Sequence, residues 1–345
     1  MPEFNLVDEP WIPCVGHGQD EGAGAVVELN LREALARTHE LAAIAGDTPT
    51  VTVSLYRLLI AAVHCFVGPE GAAGPKSSEA WESLWRRERF ASDAIDRYLT
   101  QWRHRFDLFD PTRPFYQTAS PAVDEGKAVS IAKLLFQSDN NATLFDHAFV
   151  AEPPRLSPAQ AARLLIAFQA FDTGGLITGA GDEKFAKASP LLQCAVLLVR
   201  GRNLFETLML NLYRYSPEND QPWPFKRSED RPAWERGGDT RPVDRRPDGY
   251  LDLLTWQSRR IRLWPEEEGS GQVVVRRATV MKGFQIRDGW SRSGQEPMIA
   301  FTKRLKAQPG QDPTPPLGFR EDRALWRDSV ALFESAGDLA ARPKI

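Results

Sequence analysis

The sequence has few of the residues from which cross-links and metal centres are built. Its 345 residues include three cysteines, Cys14, Cys65 and Cys194, and none of them belongs to a CxxC pair. A zinc ribbon needs closely spaced cysteine pairs, and a disulfide framework needs an even set of cysteines. The sequence therefore predicts neither a structural metal nor a disulfide-stabilised fold.

Targeting signals and long apolar runs are also missing. The chain starts Met1-Pro2-Glu3-Phe4, which is acidic, whereas a secretory signal has a basic region followed by an apolar one. No segment approaches the ~18 uninterrupted apolar residues of a membrane span. We therefore expect a cytoplasmic protein with no membrane partner.

Recognisable catalytic motifs are absent as well. Five histidines are scattered along the chain, and none lies in an HExxH motif; GxSxG, Walker and dinucleotide-binding patterns do not occur either. Asp146-His147 is an adjacent acid–histidine pair, a pattern more typical of a surface contact than of a catalytic dyad. The sequence thus predicts no enzyme, no cofactor and no metal. A hydrolase built from Asp146, His147 and carboxylates of a long loop at 216–248 stays open as an alternative.

What the sequence does contain indicates a globular protein with many loops. Apolar residues make up 42% of the chain and charged residues 26%, with 26 prolines and 25 glycines. Asn30 and Ser157 each begin a capping-box pattern, which predicts a helix start. Other predicted elements are a buried helix at 51–66, a helix at 78–104, a buried strand at 191–200, and strands at 26–29, 259–264 and 273–287. The fold class is α+β, with one large mixed domain and irregular loops at 1–307, then a linker and the start of a further segment at 308–345.

Charge is distributed unevenly along the chain. Residues 1–50 carry nine acidic side chains against two basic ones, whereas residues 276–306 carry eight basic against two acidic ones. The late segment is suited to a polyanion such as nucleic acid, which the amino-terminal segment would repel. A solvated basic face is the simpler interpretation of the same pattern.

Three segments suit nucleic-acid recognition, and each has a structural alternative. The run from Asp172 to Gly179 includes Gly174, Gly175 and Gly179, where backbone could approach a DNA groove without a side-chain clash; it equally fits a helix end and a loop. Strand alternation places Arg276, Ala278, Val280 and Lys282 on one face and Arg277 on the other, so a basic hairpin could present a cation to DNA or simply face solvent.

The third segment is a polar loop that contains two apolar side chains. Its amides and hydroxyl would suit contact with RNA or with a protein, while Phe145 could instead anchor the loop to its own core. The residues of this predicted docking loop are Asn140, Asn141, Thr143, Leu144 and Phe145.

In chain order, several segments resemble CasA, the large subunit of the type I-E CRISPR Cascade complex. Each match is weak alone, but seven in the family's order cover nearly the whole chain. The matching segments are FNLVDEPWIPC at 4–14, RPFYQT at 113–118, the Asn-rich loop at 138–147, AFQAFDTGGLITG at 167–179, VRGRN at 199–203, LTWQSRRIRLW at 254–264 and MKGFQI at 281–286.

The resemblance implies a DNA-reading subunit without catalysis. In this family a glycine loop and a lysine finger read the motif that flanks the target (PAM) in double-stranded DNA. Gly174, Gly175 and Gly179 match the glycine loop, Lys282 is the best match for the lysine finger, and Arg277 is the alternative register. The loop from Asn140 to Phe145 matches the loop that docks on the RNA handle and a neighbouring subunit.

The implied partners are the other Cascade subunits, the guide RNA, double-stranded target DNA and a recruited helicase-nuclease. Members of the family continue beyond 345 residues into a wedge-bearing segment and a carboxy-terminal four-helix bundle, so we expect this chain to lack that bundle. A scaffold that binds only protein remains the main alternative to a DNA reader.

Overall fold

The computed structural model describes residues 2–16, 24–68, 75, 77–119, 122–135, 154–177, 181–213, 230–237, 241–269, 271–288, 296–302, 304, 306–308, 311–320, 322, 324 and 327. Seven α-helices lie in these ranges: α1 (Leu31–Ala36), α2 (Pro49–Val67), α3 (Ser78–Trp85), α4 (Ser92–Trp102), α5 (Pro158–Phe171), α6 (Leu204–Leu210) and α7 (Tyr250–Leu254). The strands are β1 (Ile12–Gly16), β2 (Val26–Leu29), β3 (Leu41–Ile44), β4 (Val129–Ser130), β5 (Gly175–Leu176), β6 (Phe185–Ala186), β7 (Asp244–Arg245), β8 (Arg259–Glu267), β9 (Val273–Lys282) and β10 (Gln285–Ile286). The α+β fold class predicted from the sequence is confirmed.

The helix starts follow the local sequence. Asn30 caps α1 and Ser157 caps α5, and in both cases the side chain of the third helical residue returns a hydrogen bond to the cap backbone. Both capping boxes predicted from the sequence are therefore confirmed. They fix where each helix begins, because they satisfy amide groups that have no partner within the helix.

The core is built around α2, which packs on α4, α5 and α7. Within the described ranges it is the one helix whose length and composition would allow it to cross a membrane. Leu55, Leu59 and Val63 on this helix are fully buried in the protein. The apolar composition of α2 is therefore explained by its burial in the core of the protein.

The strands form small, separate sheets. One is antiparallel with the order β2-β1-β3, and a second has the order β4-β9-β8, with β8 and β9 as a long antiparallel ribbon. β7 and β10 pair in parallel, and β5 and β6 form a short antiparallel hairpin. Gly174 and Gly175 lie at the start of the hairpin, and the singled-out cations lie on the ribbon.

Two predicted elements are wrong. The helix expected at 78–104 is divided into α3 and α4, because Glu88 between them adopts a positive φ of 54° that a helix cannot contain. The segment at 191–200 is buried in part, but it is not a strand: it makes one isolated bridge, from Val196 to Ile299, and Gln193 has a φ of 57°.

Part of the predicted surface loop at 216–248 lies in the core instead. Among its described residues, Trp234 is 2% exposed, and its indole N–H donates to the hydroxyl of Tyr98 at 2.7 Å. Asp230 is also buried, and its carboxylate accepts hydrogen bonds from the amides of Leu251 and Asp252, at 2.8 and 3.0 Å. Asp230 thereby caps the start of α7 from a distant part of the chain.

We expect Asp230 to make stability depend on pH. Burial, the largest effect, raises the pKa of Asp230 to about 7, with Asp252 adding to the rise and Arg236 and the two amide donors opposing it. A raised folded-state pKa means that the stability contributed by this carboxyl is fully present below about pH 4 and is lost as pH rises through 7. In Asp230→Asn, which cannot titrate, this loss is absent, so urea unfolding from pH 5 to pH 8 should show wild type falling relative to the variant. Parallel curves would contradict the prediction.

Candidate nucleic-acid interface

The turn after α5 is built on two glycines in the left-handed region. Asp172 ends α5, and Gly174 and Gly175 follow with φ values of 75° and 93°. Gly175 and Leu176 then form β5, which pairs with β6 through Gly175–Ala186 and Leu176–Phe185. The glycines are required because other residues are strained at positive φ.

The two glycines serve different purposes. A Cβ on Gly174 would lie 2.6 Å from the carbonyl oxygen of Ala186, so the missing side chain allows β6 to pack closely. A Cβ on Gly175 would meet nothing within 4 Å. Gly174 therefore has a structural role, whereas Gly175 leaves a length of backbone open on its outer side.

The β8–β9 ribbon presents Lys282 at the same end of the molecule. Lys282 is the last residue of β9, where it lies opposite Arg259, and it is half-buried. The carbonyl oxygen of Lys282 accepts a hydrogen bond from Arg260 at 2.8 Å. The strand pairing with Arg259 and the hydrogen bond from Arg260 thus both hold the backbone of Lys282 against β8.

Three short contacts hold the glycine hairpin against this end of the ribbon. The buried guanidinium of Arg259 donates to Asp172 at 2.6 Å, and Arg260 pairs with Glu183 at 2.6 Å. The amide of Lys187 donates to the side-chain oxygen of Gln285, also at 2.6 Å. The structure therefore places residues 174–177 beside the end of the ribbon.

Lys187 was not identified from the sequence, yet it anchors this arrangement. Its ammonium group donates to Asp244 at 2.8 Å, to Asp288 at 3.0 Å and to the carbonyl of Ile286 at 3.1 Å. Burial disfavours the charged form, but the two carboxylates outweigh it and raise the pKa of Lys187. Nothing in the local pattern marks this lysine, because its partners are 57 or more residues away in sequence.

Strand alternation gave the wrong face for Arg276. Trp264 pairs with Arg277 and Pro265 with Val275, so Arg276 is an extra residue in β9, a β-bulge. The bulge reverses the alternation, and Val275, not Arg276, is buried in the core with Ala278 and Val280. Arg276 therefore does not share a face with Lys282 in the way the pattern predicted.

Arg276 and Arg277 are also neutralised by carboxylates. Arg276 pairs with Glu268 at 2.6 Å, and Arg277 pairs with Glu125 at 2.8 Å and with Glu266 at 3.2 Å. Hydrogen bonds to Glu125 and Glu266 raise the pKa of Arg277. At ~3.3 Å per residue, Arg277 lies roughly 16 Å along the strand from Lys282, so it is remote from the glycine hairpin.

Several predicted site residues lie outside the described part of the chain. They are Gly179, Asn140, Asn141, Thr143, Leu144 and Phe145, together with the alternative pair Asp146 and His147. Within the described ranges, no three His, Cys, Asp or Glu side chains lie together as ligands for a metal ion.

Burial raises the pKa of Cys14 to about 12, which keeps this thiol protonated.

Known proteins are similar to this chain in both sequence and fold. The pattern of the family described as CRISPR-associated protein Cse1 matches residues 5–345. A CRISPR-associated protein CasA/Cse1 from Thermus thermophilus is 37% identical over 350 residues, which cover 99% of this chain and 62% of that protein. Cse1 from Thermobifida fusca has a similar structure, with a TM-score of 0.81 at 31% identity, covering 99% of this chain and 64% of that one.

Two further structures give the same result. Cse1 from Acidimicrobium ferrooxidans matches with a TM-score of 0.80 at 30% identity, covering 100% of this chain and 63% of that one. A chain from a structure described as a CRISPR RNA-guided surveillance complex has the same fold, with a TM-score of 0.80 at 24% identity, covering 100% of this chain and 68% of that one. This chain spans about three fifths of the length of the Cse1 relatives. The resemblance seen in the sequence is thereby confirmed, and the chain belongs to the CRISPR-associated Cse1 (CasA) family.

Proposed function

We propose that this chain is a non-catalytic subunit of an RNA-guided antiviral complex and that it recognises the flanking motif (PAM) in double-stranded DNA. The observation that carries the proposal is the open backbone at Gly175, held beside the Lys282 end of the ribbon. The shared fold with a chain of a surveillance complex supports assembly with other Cascade subunits and guide RNA. Initiation of the R-loop, recruitment of the helicase-nuclease and a cytoplasmic location are part of the same proposal.

The geometry suits the minor groove of DNA. That groove is only ~6 Å wide and mainly distinguishes A·T from G·C pairs, so it admits backbone and slender side chains. Gly175 exposes backbone without a side chain, and the lysine side chain is long and slender. A reader of this kind would accept several related motifs, while base pairing with the guide supplies the remaining specificity.

Each of the carboxylates that hold the hairpin, among the described side chains, contacts a cation of this chain. Asp172 is paired with Arg259, Glu183 with Arg260, and Lys187 holds two further aspartates. The pairing of Asp172 and Glu183 reduces the repulsion that phosphate groups would meet, while Lys187 with its two aspartates retains one net negative charge. A protein with an overall charge of −3 can bind DNA on such a surface.

Lys282→Ala is expected to weaken binding of target duplex by about 10-fold in the assembled complex, because one direct cation contact is worth ~1–3 kcal/mol. If the ammonium group also meets a phosphate, the slope of log affinity against log salt should become shallower by about 0.9. Equilibrium binding of a labelled duplex at two salt concentrations measures both effects.

Arg277→Ala is the matched control for this variant. It removes a cation from the same strand that lies roughly 16 Å from Lys282 and is remote from the glycine hairpin, so we expect affinity to change by less than about 2-fold. Unchanged affinity for Lys282→Ala at both salt concentrations, with normal incorporation into the complex, would reject the DNA-reading function and favour a scaffold that binds only protein.

A further inference from the structure

Two large apolar side chains project from the glycine hairpin into solvent. Leu176 is 77% exposed and Phe185 is 60% exposed, and the two lie directly opposite each other across β5 and β6. Directly paired residues in an antiparallel ladder have side chains on the same face, about 5 Å apart. Leu176 and Phe185 thus form one continuous apolar patch, which we name the apolar pair.

In this hairpin the large apolar side chains are exposed, whereas a sheet normally buries them. The neighbouring register pair is Gly175 and Ala186, and Ala186 is fully buried. Because side chains alternate between the two faces of a strand, Ala186 on β6 faces the protein and its neighbour Phe185 faces outward, where Leu176 lies opposite it. Adjacent exposed apolar side chains of this size commonly mark an interaction surface.

An exposed cation lies next to the apolar pair. Lys184 is exposed and immediately precedes Phe185 in the chain. The carboxylates at the base of the hairpin are each engaged by a cation of this chain; they are Asp172, Glu183, Asp244 and Asp288. An apolar patch flanked by a cation matches the sugar–phosphate wall of a nucleic acid, in which apolar sugar carbons alternate with phosphates.

We propose that the apolar pair packs on the deoxyribose groups of the flanking motif and selects DNA against RNA; this inference rests on the proposed DNA-reading function. The C2′ position of deoxyribose carries only hydrogen. In RNA, the 2′-hydroxyl lies in the minor groove and distinguishes the two nucleic acids for a protein. Leu176 and Phe185 offer this hydroxyl no hydrogen-bond partner, so covering it would leave a polar group unsatisfied.

Three target duplexes of one sequence test the proposal in the assembled complex. Their flanking motifs carry deoxyribose, 2′-hydroxyl sugars or 2′-fluoro sugars; the two substitutions favour the same sugar pucker, but only the hydroxyl donates hydrogen bonds. Wild type should bind the 2′-hydroxyl duplex about 10-fold more weakly than the deoxy duplex, and the 2′-fluoro duplex within about 3-fold of it. In Leu176→Ser/Phe185→Ser, deoxy affinity should fall by about 10-fold, and the ratio between hydroxyl and deoxy duplexes should fall below about 2.

Two outcomes would overturn the inference. One is a double variant that keeps the wild-type ratio between duplexes. The other is a double variant that unfolds at the wild-type temperature but fails to join the complex, which would identify the apolar pair as a contact with another protein subunit. Phe185→Ser alone is measured alongside, so that a folding defect in the double variant leaves a second readout.

Lys282→Ala separates this inference from the function on which it rests. That variant should weaken all three duplexes by the same factor, because it leaves the apolar pair intact. If Lys282→Ala weakens binding and the double variant keeps the wild-type ratio, only the sugar selection fails. If Lys282→Ala has no effect on any duplex, the DNA-reading function itself fails.

Discussion

Glu296→Ala is expected to lower the free energy of unfolding by about 3–5 kcal/mol, because it leaves a buried guanidinium without its partner. Arg57 on α2 donates from both terminal nitrogens to the two carboxylate oxygens of Glu296, at 2.8 and 2.9 Å. The two side chains are 3% and 0% exposed. Burial disfavours the charged guanidinium, but the Glu296 carboxylate outweighs it and raises the pKa of Arg57. Urea unfolding of wild type and variant measures the loss.

Two controls identify the cause of that loss. Glu82→Ala breaks an exposed pair between Glu82 on α3 and Arg86 just after it, and should change the free energy of unfolding by less than about 0.5 kcal/mol. Arg57→Met/Glu296→Leu removes both buried charges and should recover most of the stability lost in Glu296→Ala. A double variant as unstable as the single one would show that packing volume, and not the unpaired charge, is responsible.

Gly175→Val is expected to reduce target-duplex affinity by about 100-fold while the protein still folds. Its Cβ would meet nothing within 4 Å, so the fold bears only the cost of a positive φ, ~1–2 kcal/mol. The added methyl groups would project from the backbone that the proposed interface brings against the groove, and they would hold it away. Duplex binding and thermal unfolding of the same preparation separate the two effects.

Gly174→Val and Gly269→Val are the control variants for this prediction. At Gly174 a Cβ would approach the carbonyl of Ala186 to 2.6 Å, so Gly174→Val should mainly destabilise the hairpin. Gly269, at the opposite end of the ribbon, has open space and no positive φ, so Gly269→Val should change neither quantity. Normal DNA binding by a folded Gly175→Val protein would remove the glycine turn from the proposed interface.

Local chemistry explains which elements could be predicted from the sequence. The starts of α1 and α5 were predicted because each capping box is complete within four residues, and α2 because its apolar periodicity is uninterrupted. The division between α3 and α4 depends on the positive φ of Glu88. Glutamate rarely adopts a positive φ, so the sequence did not indicate a helix break at this residue. The burial of Trp234 depends on Tyr98, more than a hundred residues away.

The same distinction applies to the candidate site. Glycines and a lysine are visible in the sequence, and the family resemblance assigned both to the reading of one DNA motif. The bulge at Arg276 was not visible, because a one-residue insertion is defined only by pairing with β8. Lys187 and the pairings of Asp172 with Arg259 and of Glu183 with Arg260 link distant segments, so no pattern within one segment could indicate them.

Those long-range links have a mechanical consequence. Asp172, the residue that caps the end of α5, pairs with Arg259, the first residue of β8. The next residue, Arg260, pairs with Glu183, which precedes β6. We therefore expect that a shift of α5 would move the turn and the β8–β9 ribbon together. In the proposed interface, the spacing between the two elements would therefore be fixed, and the fit of a duplex would depend on its own groove width, a property that varies with base sequence.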